Sequence, residues 1–197
     1  MTIQIPKSST VGVGTEFGYH CIIGEQVTIG SNVKFGNMCV VEDGSVIGDG
    51  VVMDHFCIIG EQCVIGDRTK IRSHVELRKK TIVGKDCYID SGVKSSGLNQ
   101  IRDRVTLRYD AIIARGCDIG DDVYICPQVM TNNLDHNGKE VGGAKIGSHC
   151  FIGTNSTVGA GIELASRTII GSKAMVTKAI EVAGVYVGVP AKKIRDL

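Results

Sequence analysis

The amino-acid sequence predicts an all-β parallel coil built from six-residue steps, and three observations carry that prediction. An apolar residue recurs at every sixth position, a glycine often follows it, and the period of six fits neither a 3.6-residue helix nor a long strand of period two. Glycine is abundant at 26 residues, proline is rare at 3 and tryptophan is absent, which suits flat repetitive packing better than a bulky core.

Counted in sixes from Ile5, the series runs Ile5, Val11, Phe17, Ile23, Ile29, Phe35, Val41, Ile47, Met53, Ile59, Ile65, Ile71, Leu77, Val83 and Ile89, and every member is apolar. Only 43% of the chain is hydrophobic, so an unbroken run of this length is no accident. Ser95 interrupts it. The series resumes in phase with Ile101, Leu107, Ile113, Ile119 and Ile125. It then returns, shifted by three residues, as Ile146, Ile152, Val158, Leu164, Ile170, Val176 and Val182. Each step reads as a short straight segment with one aliphatic side chain pointing inward, followed by a turn. Three such steps make a triangular coil of eighteen residues. Glycines such as Gly24, Gly30, Gly48 and Gly66 fall where a tight corner favours them.

The cysteines follow from the same frame. Cys21, Cys39, Cys57, Cys63, Cys87, Cys117 and Cys150 each stand two residues before an inward aliphatic, on the same side of the strand. They read as small buried hydrophobes rather than as a disulfide framework, which implies a reducing, cytoplasmic setting. The start, Met1 to Lys7, lacks the charged and apolar regions of a secretory leader, and no apolar run approaches the roughly 20 residues of a membrane span.

Net charge is +1, but it is unevenly spread. Residues 1–69 hold 3 basic and 8 acidic side chains (−5), residues 70–115 hold 11 and 5 (+6), and residues 116–197 hold 8 of each. The basic middle, with Arg72, Arg78, Lys79, Lys80, Arg102, Arg104 and Arg108, reads either as solvated faces of the coil or as an attractor of phosphate groups, such as a diphosphate-linked sugar. No nucleic acid or membrane partner is expected.

Repeats of the form Ile-Gly-x-x-x-x resemble those of the hexapeptide-repeat acyltransferase superfamily, over nearly the whole chain. Two stretches are more specific: Ile119-Gly120-Asp121-Asp122-Val123-Tyr124-Ile125, a loop, then Ile146-Gly147-Ser148-His149-Cys150-Phe151-Ile152-Gly153; and Ile170-Gly171-Ser172-Lys173-Ala174-Met175-Val176-Thr177-Lys178, followed by Val187-Gly188-Val189-Pro190-Ala191-Lys192-Lys193. They look like the sugar O-acetyltransferases and the nucleotide-aminosugar N-acetyltransferases. The resemblance implies a left-handed parallel β-helix, a homotrimer, and acetyl-CoA as co-substrate lying in the cleft between two subunits, with no metal required. It further implies a helix domain over 1–189 with an excursion loop at 127–145, and a short tail at 190–197.

The period fails from Pro127 to Lys145, and a polar loop ejected from a rigid scaffold has a functional reason. Its only imidazole is His136, a candidate general base for an incoming hydroxyl or ammonium group, and the resembling sugar acetyltransferases use a histidine in this excursion. The alternative is a solvated loop histidine. Asn132, Asn133, Asp135 and Arg108 are candidate acceptor-binding residues. His74, outward on the coil, is the alternative base. By position, Gly153, Thr154, Ser172 and Lys173 would line the pantetheine arm of coenzyme A. Thr177, Lys178, Lys192 and Lys193 would meet its nucleotide end.

Three readings compete. The first is an acyl-CoA-dependent transferase acting on an amino or hydroxyl group of a small, sugar-like acceptor. The second is a non-catalytic β-helix scaffold. The third is a γ-carbonic-anhydrase-like metalloenzyme, which needs a close histidine pair that His20, His55, His74, His136 and His149 do not supply.

Overall fold

The computed structural model describes residues 3–197, so Met1 and Thr2, the first two residues of the expected domain, lie outside it. The fold is a left-handed parallel β-helix with strands only. Each hexapeptide gives a strand of two residues, such as Ile58–Ile59 or Val64–Ile65, whose first side chain faces out and whose second faces in. The strands stack into three parallel sheets in which partners lie eighteen residues apart, as in Lys70↔Tyr88 and Glu76↔Lys94.

The first face runs from Thr10–Val11 to Glu163–Leu164. The second runs from Lys34–Phe35 to Val185–Val187, and the third from Ile22–Ile23 to Met175–Val176. Nine parallel strands line each face. The strand Lys192–Arg195 folds back antiparallel on Val185–Val187 at one end. No helix is long and apolar enough to cross a membrane among the described residues.

The inward column forms one continuous core: Ile59, Ile71, Leu77, Ile113, Ile125 and Ile152 are fully buried. Burying each such side chain is worth roughly 1.5–3 kcal/mol. The column opens at its ends, where Ile5 and Val11 are each 36% exposed. At every corner one residue takes a left-handed conformation, including non-glycine residues such as Gln26 (φ 56°), His74 (φ 62°) and Lys173 (φ 58°). That conformation costs roughly 1–2 kcal/mol in an ordinary residue. Here inter-coil hydrogen bonds hold it: the Gln62 amide donates to the Asp43 carbonyl, and the Lys80 amide to the Glu61 carbonyl. The corner amides of one coil also donate to carboxylates of the next, as Ser31 does to Asp49 at 2.7 Å and Lys85 does to Asp103 at 2.8 Å.

Three expectations change. The excursion is shorter than 127–145: Pro127 and Gln128 form an ordinary corner, and Met130–Thr131 is a third-face strand pairing with Ile112 and with Thr157. The coil is left only at Asn132 and is rejoined by the strand Lys145–Ile146. Val182 is not an inward residue: it is 61% exposed, and Ile180 bridges to Leu164 and is buried instead. Ser95 does not interrupt the coil. It occupies the inward position of Lys94–Ser95 and is buried.

Candidate active site

Three corners join the faces, and every candidate residue but Lys192 and Lys193 sits on one of them. The corner from third to first face carries the excursion. Its hairpin is closed by a Leu134↔Glu140 bridge, and Asp135 shapes it: the Asp135 carboxylate accepts from the Asn137 amide at 2.8 Å and from the Lys139 amide at 2.9 Å. Asp135 is thus occupied within the loop and does not orient its neighbour. His136 is exposed, and its side-chain hydrogen-bond contact is with the Asn137 amide group, 3.2 Å from Nε2. The returning limb is anchored by Gly143, packed so closely on the next corner that a Cβ there would meet the Arg115 carbonyl at 2.7 Å and the backbone of Gly116 and Cys117 closer still. At the foot of the hairpin, Asn132 and Asn133 line a shallow cleft of about 250 Å³ with Ser96, Ala114, Met130 and Leu134.

Two more of the expected residues stand on this same corner: Thr177 and Lys178, both exposed, on a coil beyond the excursion. The others lie across the third face, on the corner from second to third. There Gly153, Thr154, Ser172 and Lys173 stack in successive coils beyond Arg108. His74 is on the same corner further toward the N-terminus, its ring stacked parallel on Phe56 at 5.0 Å. Lys192 and Lys193 lie on the terminal antiparallel strand, with Lys193 paired to Asp196 at 2.6 Å. Within one chain, then, the structure brings Asn132, Asn133, Asp135, His136, Thr177 and Lys178 to one edge of the third face. His74, Arg108, Gly153, Thr154, Ser172 and Lys173 go to the other edge.

Arg108 is held rather than free. Its Nε lies 3.0 Å from the Asp90 carboxylate, whose side chain is 2% exposed, and its Nη1 donates to the Tyr124 hydroxyl at 3.3 Å. The Asp90–Arg108 contact is within ion-pair distance but off hydrogen-bond alignment. Asp90 is the buried partner, so removing Arg108 would leave its carboxylate charge uncompensated in the corner.

The expected basic band does not form one surface. Its members are distributed over all three corners, and most are paired one coil apart: Arg72 with Asp54 at 3.1 Å, Arg104 with Asp122 at 2.8 Å, Arg108 with Asp90. Arg104 and Asp122 stabilise each other's charged forms, which lowers the Asp122 carboxyl below its usual range.

Sequence reasoning also missed a buried polar network under the excursion corner. Ser95 and Thr131 are the polar residues among the inward strand positions, and both belong to the third face. The Ser95 hydroxyl lies 2.8 Å from that of Thr81 and accepts from Asn99 Nδ2 at 2.8 Å. The Cys117 amide donates to Asn99 Oδ1, and the Ala114 amide to the Thr131 hydroxyl, each at 2.8 Å. The signal was present as the break at Ser95, but its meaning needs the partners Thr81 and Asn99, fourteen and four residues away. Among the described residues, no group of three or more His, Cys, Asp or Glu side chains gathers as a metal site.

Comparison with known proteins agrees with this architecture. Residues 5–98 match a family model described as the GMPPB C-terminal domain, and residues 143–178 match one described as bacterial transferase hexapeptide (six repeats). Among solved structures, the chain resembles UDP-N-acetylglucosamine O-acyltransferase (LpxA) from Moraxella catarrhalis RH4. The two are 18% identical with a TM-score of 0.66, over 95% of this chain and 70% of that one. A second UDP-N-acetylglucosamine acyltransferase matches at 18% identity and a TM-score of 0.59, over 96% of this chain and 70% of that one. At such identities the likeness is one of fold. Repeats, coil and the model matched over residues 143–178 are consistent with the hexapeptide-repeat acyltransferase superfamily.

Proposed function

We propose that the chain is an acyl-CoA-dependent acyltransferase that acetylates an amino or hydroxyl group of a sugar, nucleotide-linked sugars included. One observation carries the reading. A coil that keeps its register on both sides projects a single hairpin, which holds an unburdened imidazole, His136, at the corner where a cleft lined by Asn132 and Asn133 opens. The solved neighbours named acyltransferases support the class, and the eight free thiols suit a cytoplasmic setting.

In this reading the acceptor attacks the thioester carbonyl directly, giving a tetrahedral oxyanion that a corner backbone amide stabilises. The acceptor's proton passes to His136, and the collapsing intermediate expels the thiolate of coenzyme A. Asn132 and Asn133 orient the acceptor. Gly153, Thr154, Ser172 and Lys173 line the pantetheine arm, while the Thr177 hydroxyl and the point charges of Lys178, Lys192 and Lys193 take the phosphates. The coenzyme A set divides among the two edges of the third face and the terminal strand, which suits a cleft closed by a neighbouring subunit of a homotrimer.

The test is kinetic. His136→Ala should lower kcat about 10²–10⁴-fold, the usual worth of general-base catalysis, with coenzyme A affinity unchanged. A loss below about threefold would reject His136 as base. His74→Ala, measured in parallel, should leave kcat near wild type, because His74 lies four coils N-terminal of Gly153 on its corner. A larger loss for His74→Ala would transfer the role to it.

A further inference from the structure

N-terminal of the excursion, the corner from third to first face carries a trough that no part of the mechanism above uses. Its middle is a cleft of about 380 Å³, lined by Glu61, Glu76, Arg78, Lys79, Ser96 and Arg115. Gly60 makes the notch, since a Cβ there would meet the Lys79 amide nitrogen at 2.8 Å. Toward the excursion the cleft runs into the one beneath Asn132 and Asn133, and Ser96 belongs to both.

Charge sorts along the coil axis within it. Glu42 and Glu61 occupy the end away from the excursion, where the Glu42 carboxylate accepts from the Glu61 amide at 3.1 Å. Glu76 is neutralised by Arg78 at 2.9 Å and Lys94 at 3.6 Å. Of the eleven cations between residues 70 and 115, only Lys70, Lys79, Lys80 and Arg115 lack an ion-pair partner among the described residues. Two of those four, Lys79 and Arg115, face this one cleft.

Its floor is built rather than incidental. The hydrogen-bonded set Thr81, Ser95, Asn99, Cys117 and Thr131 lies directly beneath the corners that carry Arg78, Ser96 and Arg115. Thr81 Oγ1 also donates to the Arg78 carbonyl at 2.7 Å. Ser95 and Thr131 take inward strand positions that aliphatics fill on the other coils, and their hydrogen bonds fix the geometry of the corners above them. Gly143 of the hairpin then locks on to the Arg115 backbone, which ties the cationic end to the excursion. Arg115 and Asn133 are one coil apart, about 5 Å along the axis, and Lys79 is two coils further.

From this arrangement we infer that Lys79 and Arg115, with Arg78 beside them, bind the phosphate of a phosphorylated acceptor. Its sugar extends along the trough so that the reacting hydroxyl or amine reaches the cleft at the foot of the hairpin, lined by Asn132 and Asn133. The inference rests on the acyltransferase reading for the role of the bound molecule, but not for its binding. A guanidinium fork and an ammonium on one wall are complementary to a phosphate group. The source is a sugar phosphate or a nucleoside-diphosphate sugar, which present the same anion.

Calorimetric titration of the purified chain with α-glucose 1-phosphate, UDP-glucose and unphosphorylated glucose tests it. At least one phosphorylated probe should bind, and glucose should not. Lys79→Ala/Arg115→Ala should weaken that binding tenfold or more with thermal unfolding unchanged, and Lys80→Ala, on the same corner, by less than twofold. Tighter binding of UDP-glucose identifies the nucleotide-linked source, and tighter binding of glucose 1-phosphate the simple one. No binding of either phosphorylated probe, unchanged affinity in the double variant, or competitive displacement of the probe by coenzyme A would overturn the assignment. Coenzyme A binding to the double variant separates the two ideas. If it is intact while probe binding is indifferent to the substitutions, only the phosphate site falls. If coenzyme A never binds while the probe binding depends on Lys79 and Arg115, only the acyltransferase reading falls.

Discussion

Eight thiols, all free and all under 9% exposed, make this chain sensitive to alkali. Burial pushes the Cys87 and Cys150 thiols up to about 11. Unfolding returns them toward their ordinary value near 9, so above that pH the unfolded chain holds fewer protons than the folded one. Stability is therefore full below about pH 9 and falls as pH rises toward 11, by up to about 1.4 kcal/mol per pH unit for each thiol. Urea midpoints at pH 8 and pH 10.5 should show that fall, and Cys87→Ala/Cys150→Ala should reduce it. Native thiol titration should find at most one fast thiol and eight after unfolding, whereas four or more fast native thiols would refute the inward placement. The position of seven cysteines was legible in the sequence because two-residue alternation puts them on the side of the aliphatic column. Cys126 lies outside that pattern, one residue after inward Ile125, and is buried by its neighbours at the corner instead.

The excursion is the element on which the functional reading turns, and its limits show what a period can and cannot reveal. The apolar series breaks after Ile125 because Thr131, a polar residue, fills the next inward position. Only the pairing of Met130–Thr131 with the strands on either side restores that step to the coil. Val182 misled for the opposite reason, an apolar residue in phase but past the point where the chain leaves the coil at Ile180. The basic band misled because composition counts charges without their partners. Yet the partners sit at the coil repeat of eighteen, as Arg68 with Asp86 and Lys85 with Asp67, so a search at that spacing would have found them. Gly143 is the element's weak point. Gly143→Ala drives a Cβ into the Arg115–Cys117 backbone and should displace the hairpin. Activity should fall at least tenfold while the unfolding midpoint of the coil shifts by only a few degrees. Unimpaired activity would show that the hairpin's seat is irrelevant to catalysis.

At the scale of the molecule, a solenoid with one excursion buries its core between neighbouring coils alone, and flat outer faces remain. Outward residues such as Ile22, Ile58, Ile112 and Met130 keep the third face partly apolar and exposed. Three copies related by a cyclic axis would cover such faces and join the two edges that divide the coenzyme A set. Sedimentation at micromolar concentration should therefore give a trimer, and a monomer would argue against a shared site. The fold was legible almost entirely, since one inward aliphatic per six residues dictates it. The cleft was not legible, because a surface cleft depends on residues brought together from separate coils. Whether this coil is an enzyme or a scaffold reduces to one titration. Acetyl-CoA added to the purified chain in a calorimeter should bind saturably with one site per chain, and Lys173→Ala/Lys178→Ala should weaken it. No binding at millimolar acetyl-CoA would contradict the transferase assignment and leave a structural β-helix.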